Sequence, residues 1–382
     1  MLKKGFDFIV VWIVVLSGVM LSYGADSKTF PVGALFPMTG PQAYYGRVMS
    51  RGAQLAADHL NADRGAEGYL FKLGIADFQN IDEKLALTGL QKMMITKNIP
   101  FLLTSFSAVT LAVQPVCEKA DILMINGGAY SPKILNKPYL YTLRVSQNQM
   151  VPAMLRYLWE KNVRKLSLIY MQDFGESVIR ELLIPLWTKM GGSIVSDESH
   201  PPGITDFSAY IARIKEAAPD AVYDISTGQD QAYLVRQVRE AGITLPFSVV
   251  DWNDTFQTIA GKASENIYFL ADDFDTAGSD PLTRRFVMDY EEKWKELPDF
   301  YAANYYDAVY NILGELVKRA VKAGGNPLNG GELEKAIRTD PVFKTVYGGN
   351  LTLNKDGSSK KVMAVFKIAD GKKIAEKRVD PE

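Results

Sequence analysis

From Val32 onward the chain alternates short apolar runs with segments whose apolar residues recur every three or four positions. Residues 32–36 read as a buried strand ending at Pro37; a Thr-Gly-Pro turn and a Tyr-Tyr-Gly step follow. They lead into a helix carrying Met49, Ala53, Ala56 and Leu60 along one face. Residues 71–75 alternate at period two, and residues 85–94 place Leu87, Leu90 and Met94 at helical spacing. An apolar run at 101–103, a helical pattern at 109–120 and a strand at 122–125 complete the series. Strand and helix in strict alternation predict a parallel sheet covered by helices on both faces.

The order restarts after Arg144. Helical patterns at 154–159, 178–189, 207–217 and 231–241 alternate with strands at 166–170, 194–195, 221–225, 247–250 and 267–270. A second α/β lobe with its own core is therefore expected, each lobe a mainly parallel sheet flanked by helices. Long helical patterns at 280–297 and 304–323 return to the first lobe, and a hairpin-like tail at 349–368 turns on Asp356-Gly357. Direction changes near Ser146, Asp273 and Asn350 predict crossing segments, which act as hinges when lobes close on a ligand. The expected boundaries are 28–146 with 274–350 for lobe 1 and 147–273 with 351–382 for lobe 2.

At 382 residues the chain suits two lobes better than one core. Its net charge of −1 is spread evenly, which argues against a nucleic-acid partner. The N-terminus departs from this: Lys3 and Lys4 precede an apolar run at 8–21 and then Ser22, Gly24 and Ala25. That run is shorter than the roughly 20 apolar residues of a membrane span, so residues 1–25 read as a cleavable secretory signal peptide. The single cysteine, Cys117, excludes an intramolecular disulfide and sits on a helical pattern as a small buried residue.

Catalytic signatures are missing. His59 and His200 stand at no metal-ligand spacing and are expected to be solvent-exposed structural residues. There is no G-x-S-x-G, phosphate loop or G-x-G-x-x-G, and Asp272-Asp273-Phe274-Asp275 lacks the later ligands of a calcium loop. Neither enzymatic activity, a cofactor nor a metal is expected. Binding signals are better. Thr104-Ser105-Phe106-Ser107 follows a strand and opens a helix, where hydroxyls and unbonded N–H groups suit a carboxylate; simple N-capping by Ser107 is the alternative. Gly127-Gly128-Ala129-Tyr130 follows the next strand, either as a plain turn or as a close backbone approach to a ligand.

The opening stretch at 32–61, with the blocks LAVQPVCEKADILMINGGAYSP (111–132), SHPPGITDFSAYIARIKEAAPDAV (199–222) and YLVRQVREAG (233–242), resembles the leucine/isoleucine/valine-binding proteins. These are type I periplasmic substrate-binding subunits of branched-chain amino-acid ABC transporters. The resemblance runs from about residue 29 to the C-terminal tail. It implies a monomer that closes two lobes on a small polar solute and delivers it to a permease and ATPase complex in the inner membrane. It also implies ligand roles: Tyr45 packing over the ligand, Ser107 on the α-carboxylate, Gly128 through backbone contacts and Asp251 on the ammonium. Tyr130 stands where the family has Thr or Ser, Phe174 where it has Tyr, and Thr227 where Tyr is common. These changes reshape the side-chain pocket and leave leucine, an aromatic amino acid, an amide or an aromatic acid open. A ligand-sensing domain of the same fold is the rival function.

Overall fold

The computed structural model describes residues 28–380 apart from residue 173, and side chains at 174–176 are not described. The expected signal peptide lies outside the described residues. The first series is β1 (Lys28–Phe36), α1 (Ala43–Ala62), β2 (Tyr69–Asp77), α2 (Glu83–Lys97), β3 (Phe101–Thr104), α3 (Ser107–Lys119), β4 (Leu123–Asn126) and β5 (Leu140–Thr142). Its strands form a five-stranded sheet in the order β2-β1-β3-β4-β5, parallel throughout. β3 and β4 are buried at every position, as a sheet covered on both faces requires.

The second series is α4 (Gln147–Glu160), β6 (Lys165–Met171), α5 (Phe174–Lys189), β7 (Ser193–His200), α6 (Ser208–Ala217), β8 (Ala221–Ile225), α7 (Gln229–Glu240), β9 (Phe247–Ser248), α8 (Asp254–Ala260) and β10 (Ile267–Asp272). The chain then returns through α9 (Pro281–Trp294) and α10 (Phe300–Tyr306), a π-helical run at Asp307–Leu313, α11 (Gly314–Lys322) and α12 (Gly330–Thr339). Last come β11 (Val342–Lys344), β12 (Asn350–Thr352), β13 (Met363–Ala369) and β14 (Lys372–Val379). The second sheet has the order β14-β13-β10-β9-β8-β6-β7, antiparallel only where β13 and β14 join.

The tail differs from the expected hairpin. β12 pairs with β11, and the N–H groups of Asn136 and Thr142 donate to the carbonyls of Asp356 and Gly357 at 2.7 Å, so 350–357 lies against the first lobe. The chain enters the seven-stranded sheet at Met363, and the long hairpin is β13–β14, turning at Asp370-Gly371. β14 (KKIAEKRV) carries no apolar alternation because it is an exposed edge strand, its lysines guarding the open edge.

Three crossings meet at one buried carboxylate. Asp272 ends β10 and accepts from the Val145 N–H at 3.3 Å and from Asn304 Nδ2 at 3.2 Å. The Asp273 N–H donates to the Val362 carbonyl at 3.0 Å, and the buried Lys361 ammonium donates to Asn304 Oδ1. Residues 143–146, 272–273 and 361–362 are thereby bound into one brace between the lobes. A carboxylate this deep persists because hydrogen bonds and the Lys361 charge replace its water.

Candidate functional site

The loops that follow the carboxyl ends of β1, β3, β4, β8 and β9 converge on a cleft between the lobes, the place where open α/β sheets present ligand sites. The cavity there is about 20 Å³, room for about one water between walls that lie close together. Tyr45, Ser107, Gly128 and Tyr130 line it from the first lobe and Thr227 from the second. Five sequence-predicted residues thus share one cavity. Met49, Phe106 and Tyr301 line it too, with Val250, which precedes Asp251.

On the first-lobe wall, α3 begins at Ser107 without a side-chain cap. Phe106, just ahead of it, has φ 59° and ψ 134°, a conformation that costs about 1–3 kcal/mol and collects at ligand sites. Ser107 does not cap its own helix; its hydroxyl accepts from the Ser131 N–H at 3.3 Å. The first-turn N–H groups of α3 remain as donors at the positive end of a 13-residue helix. At Gly128 the N–H is already committed to Asn126 Oδ1 at 3.1 Å, so this position offers close approach rather than a free donor. A Cβ there would lie 2.8 Å from Met49 Cε and 3.3 Å from the Tyr305 hydroxyl. Tyr45 packs edge-to-face on Tyr301 and Phe106, with centroids 5.3 and 5.7 Å apart.

On the second-lobe wall, Thr227 is buried and its hydroxyl has no partner. The next residue, Gly228, takes φ 69° ahead of α7, and a Cβ on it would meet Gln42 of the first lobe at 3.0 Å. The lobes are in contact at this point, and the cleft is closed. Asp251 is not among the lining residues; it lies behind Val250 with 2 % exposure, Oδ1 accepting from the Trp252 N–H at 2.7 Å, while Oδ2 has no partner at close hydrogen-bond distance and the Tyr45 hydroxyl helps to hold the carboxyl down. Burial pushes its carboxyl up to about 6, against the pull of Arg144. Trp252 turns aside, its indole donating to Gln257 Oε1 at 3.3 Å. Phe174 opens α5, and its side chain lies outside the described residues.

Both histidines depart from the expected exposure. His59 is buried against Tyr306, whose hydroxyl lies 2.8 Å from Nδ1, and His200 is buried with Nε2 2.8 Å from the Ser226 hydroxyl. Neither lines the pocket.

Sequence reasoning missed Arg144. It is 1 % exposed, none of its three guanidinium nitrogens has a hydrogen-bond partner, and it stacks on Tyr130, Phe300 and Tyr301 with centroids at 4.8, 4.6 and 4.7 Å. The available signal was a lone basic residue inside the apolar run Leu140 to Val145.

A family model described as periplasmic binding protein matches residues 29–373. The Leu/Ile/Val-binding protein homolog 1 of Brucella suis biovar 1 is 27% identical over 373 residues, covering 94% of this chain and 96% of that protein. The branched-chain amino acid transporter substrate binding protein of Streptococcus pneumoniae, solved in complex with isoleucine, is 25% identical with a TM-score of 0.81. That match covers 93% of this chain and 100% of the other. An ABC transporter solute binding protein from R. palustris, solved in complex with benzoate, has the same TM-score of 0.81 at 19% identity, covering 92% and 97%. Equal likeness to an isoleucine complex and a benzoate complex shows a shared two-lobed fold that does not select the ligand.

Proposed function

The chain belongs to the periplasmic binding protein family, and from that premise we propose that it is the solute-binding subunit of an ABC importer, closing its lobes on a free amino acid. The observation behind this is the pairing of opposite polarities across one closed cleft. The uncapped N-terminus of α3 with Ser107 suits a carboxylate, and the unpartnered Oδ2 of Asp251 suits an ammonium. A zwitterion bridging the two would hold the lobes together, and an aliphatic side chain agrees with what the Brucella relative is named for. Tyr45 would pack over the ligand, with Gly128 allowing close approach and Tyr130, Phe174 and Thr227 shaping the side-chain space. The protein then works in the periplasm as a monomer, cleaved from its signal peptide. It catalyses nothing and passes its ligand to a permease and ATPase complex in the inner membrane.

Thermal-shift and calorimetric screening of the mature protein against leucine, isoleucine, phenylalanine, glutamine and benzoate tests the assignment. An aliphatic amino acid at 100 times its Kd should add about 2.7 kcal/mol of stability. Ser107→Ala should weaken its binding about tenfold, the scale of one hydrogen bond to a charged group. Benzoate binding tightly while every amino acid fails would overturn the proposal, and a tight amino acid indifferent to Ser107→Ala would overturn the role of that residue.

A further inference from the structure

The pocket walls of the first lobe follow the order of its sheet. Ile81 lies in the loop after β2, Tyr45 opens α1 after β1, Phe106 and Ser107 follow β3, and Tyr130 follows β4. With the strands in the order β2-β1-β3-β4, Ile81 closes one end of this row and Tyr130 the other, and the start of α3 stands between them. The Ile81 end is the apolar one, since neither Ile81 nor Phe106 brings a polar side-chain atom, whereas Tyr130 brings a ring stacked on the Arg144 guanidinium. Among the described residues Ile81 is also the one β-branched residue with a positive φ, 60°, a left-handed backbone that a side chain branched at Cβ crowds severely. Both flanks of its loop are tied down. Asp77 Oδ1 accepts from the Met38 and Gln79 N–H groups, each at 2.8 Å, and Oδ2 accepts from the Thr39 hydroxyl. The Asp82 N–H donates to the Phe78 carbonyl at 3.0 Å, and the Asp82 carboxylate caps α2 through the Lys84 and Leu85 N–H groups at 2.8 and 3.0 Å. Strain persists where the surroundings over-determine it, and it gathers at ligand clamps.

We propose that Ile81 is a specificity-determining residue: held over the cleft by its left-handed backbone, its side chain closes the apolar end of the pocket and limits the ligand side chain that fits. The inference rests on the amino-acid assignment above. A ligand with its carboxylate at the start of α3 extends its side chain past Tyr45 and Phe106 toward Ile81. The closed walls leave only about 20 Å³, so the lobes must part to admit any ligand, and part further for a benzyl group than for an isobutyl group. Parting the lobes gives up contacts between them, such as that of Gln42 with Gly228. A larger side chain is thereby disfavoured, and truncating Ile81 makes room for it without further parting.

Calorimetry of L-leucine and L-phenylalanine with the mature wild type, Ile81→Ala and Ile81→Gly tests this. Wild type should prefer leucine. In both variants the ratio of affinities should move toward phenylalanine by at least about tenfold, the scale on which an apolar pocket discriminates a methylene group. Urea unfolding of ligand-free protein should place the midpoint of Ile81→Gly above that of Ile81→Ala, because glycine takes φ 60° freely. At an ordinary φ alanine would be the more stable of the two. Ile81→Val, with a smaller shift in the same direction, serves where truncation unfolds the protein. A wild type that prefers phenylalanine, equal weakening of both amino acids, or a higher midpoint for Ile81→Ala overturns the inference and leaves Ile81 a loop residue. Failure of the wild type to bind either amino acid counts against the amino-acid assignment instead; the order of the urea midpoints, with the affinity ratio of benzoate to the larger naphthoate, then decides the role of Ile81.

Discussion

Gly52→Ala is expected to destabilise the protein by about 3 kcal/mol, at the upper end for overpacked sites, and to weaken ligand binding with it. A Cβ at Gly52 would sit 2.2 Å from the carbonyl oxygen of Ala302 and 2.9 Å from its carbonyl carbon and Cα. These are backbone atoms of α10, and no rotamer change can move them aside. The opposing effect is the better helix propensity of alanine, worth about 1 kcal/mol, and it loses to a contact more than 1 Å too short. Relief has to come from α1 and α10 separating. Tyr301, next to Ala302, forms a pocket wall and one side of the Arg144 ring cage, so that separation reaches the ligand. Urea unfolding should show a lower midpoint with an unchanged slope. A variant that unfolds with wild-type stability would show that the two helices are not held this closely.

Much of this architecture is legible from local pattern. The run Phe101 to Leu103 is apolar at every position because β3 is covered on both faces, and the period-three-and-four spacing of Met49, Ala53, Ala56 and Leu60 marks the buried side of α1. What escaped depends on partners far along the chain. β14 has no apolar period because it faces solvent. α12 was missed although Asn329 caps it, accepting from the Glu332 N–H at 3.1 Å. His59 looks like a surface residue until Tyr306, distant in sequence, closes over it. The same holds for the site. Ser107, Gly128, Tyr130 and Thr227 each lie within four positions of a strand end, and Tyr45 lies in the first turn of α1. Arg144 acquires its meaning only from Phe300 and Tyr301, brought in by a helix that begins more than 150 positions later.

Asp251→Asn is expected to cut the affinity for an amino acid at least about 30-fold at pH 8, while making the ligand-free protein more stable. Both effects follow from one buried charge. Its carboxyl is raised from the ordinary 3.8 to about 6 by burial, and two pH units correspond to about 3 kcal/mol. For a carboxyl whose folded pKa lies above its unfolded one, that cost is absent below about pH 4. It grows between 4 and 6 and is fully present above 6. The empty protein is therefore strained at neutral pH, and a ligand ammonium relieves the strain by giving Oδ2 its missing partner. Asparagine carries no charge, so the strain disappears together with the counter-charge for the ligand. Removing one member of a buried charge pair costs about 2–5 kcal/mol of binding, which sets a floor of about 30-fold. Urea unfolding of ligand-free protein should show a gain of up to about 3 kcal/mol at pH 8 and almost none at pH 4. Calorimetry at pH 8 should show binding nearly lost. If the variant binds as wild type does, Asp251 is not the ammonium site; if it gains no stability at pH 8, Asp251 is not held charged in the empty cleft.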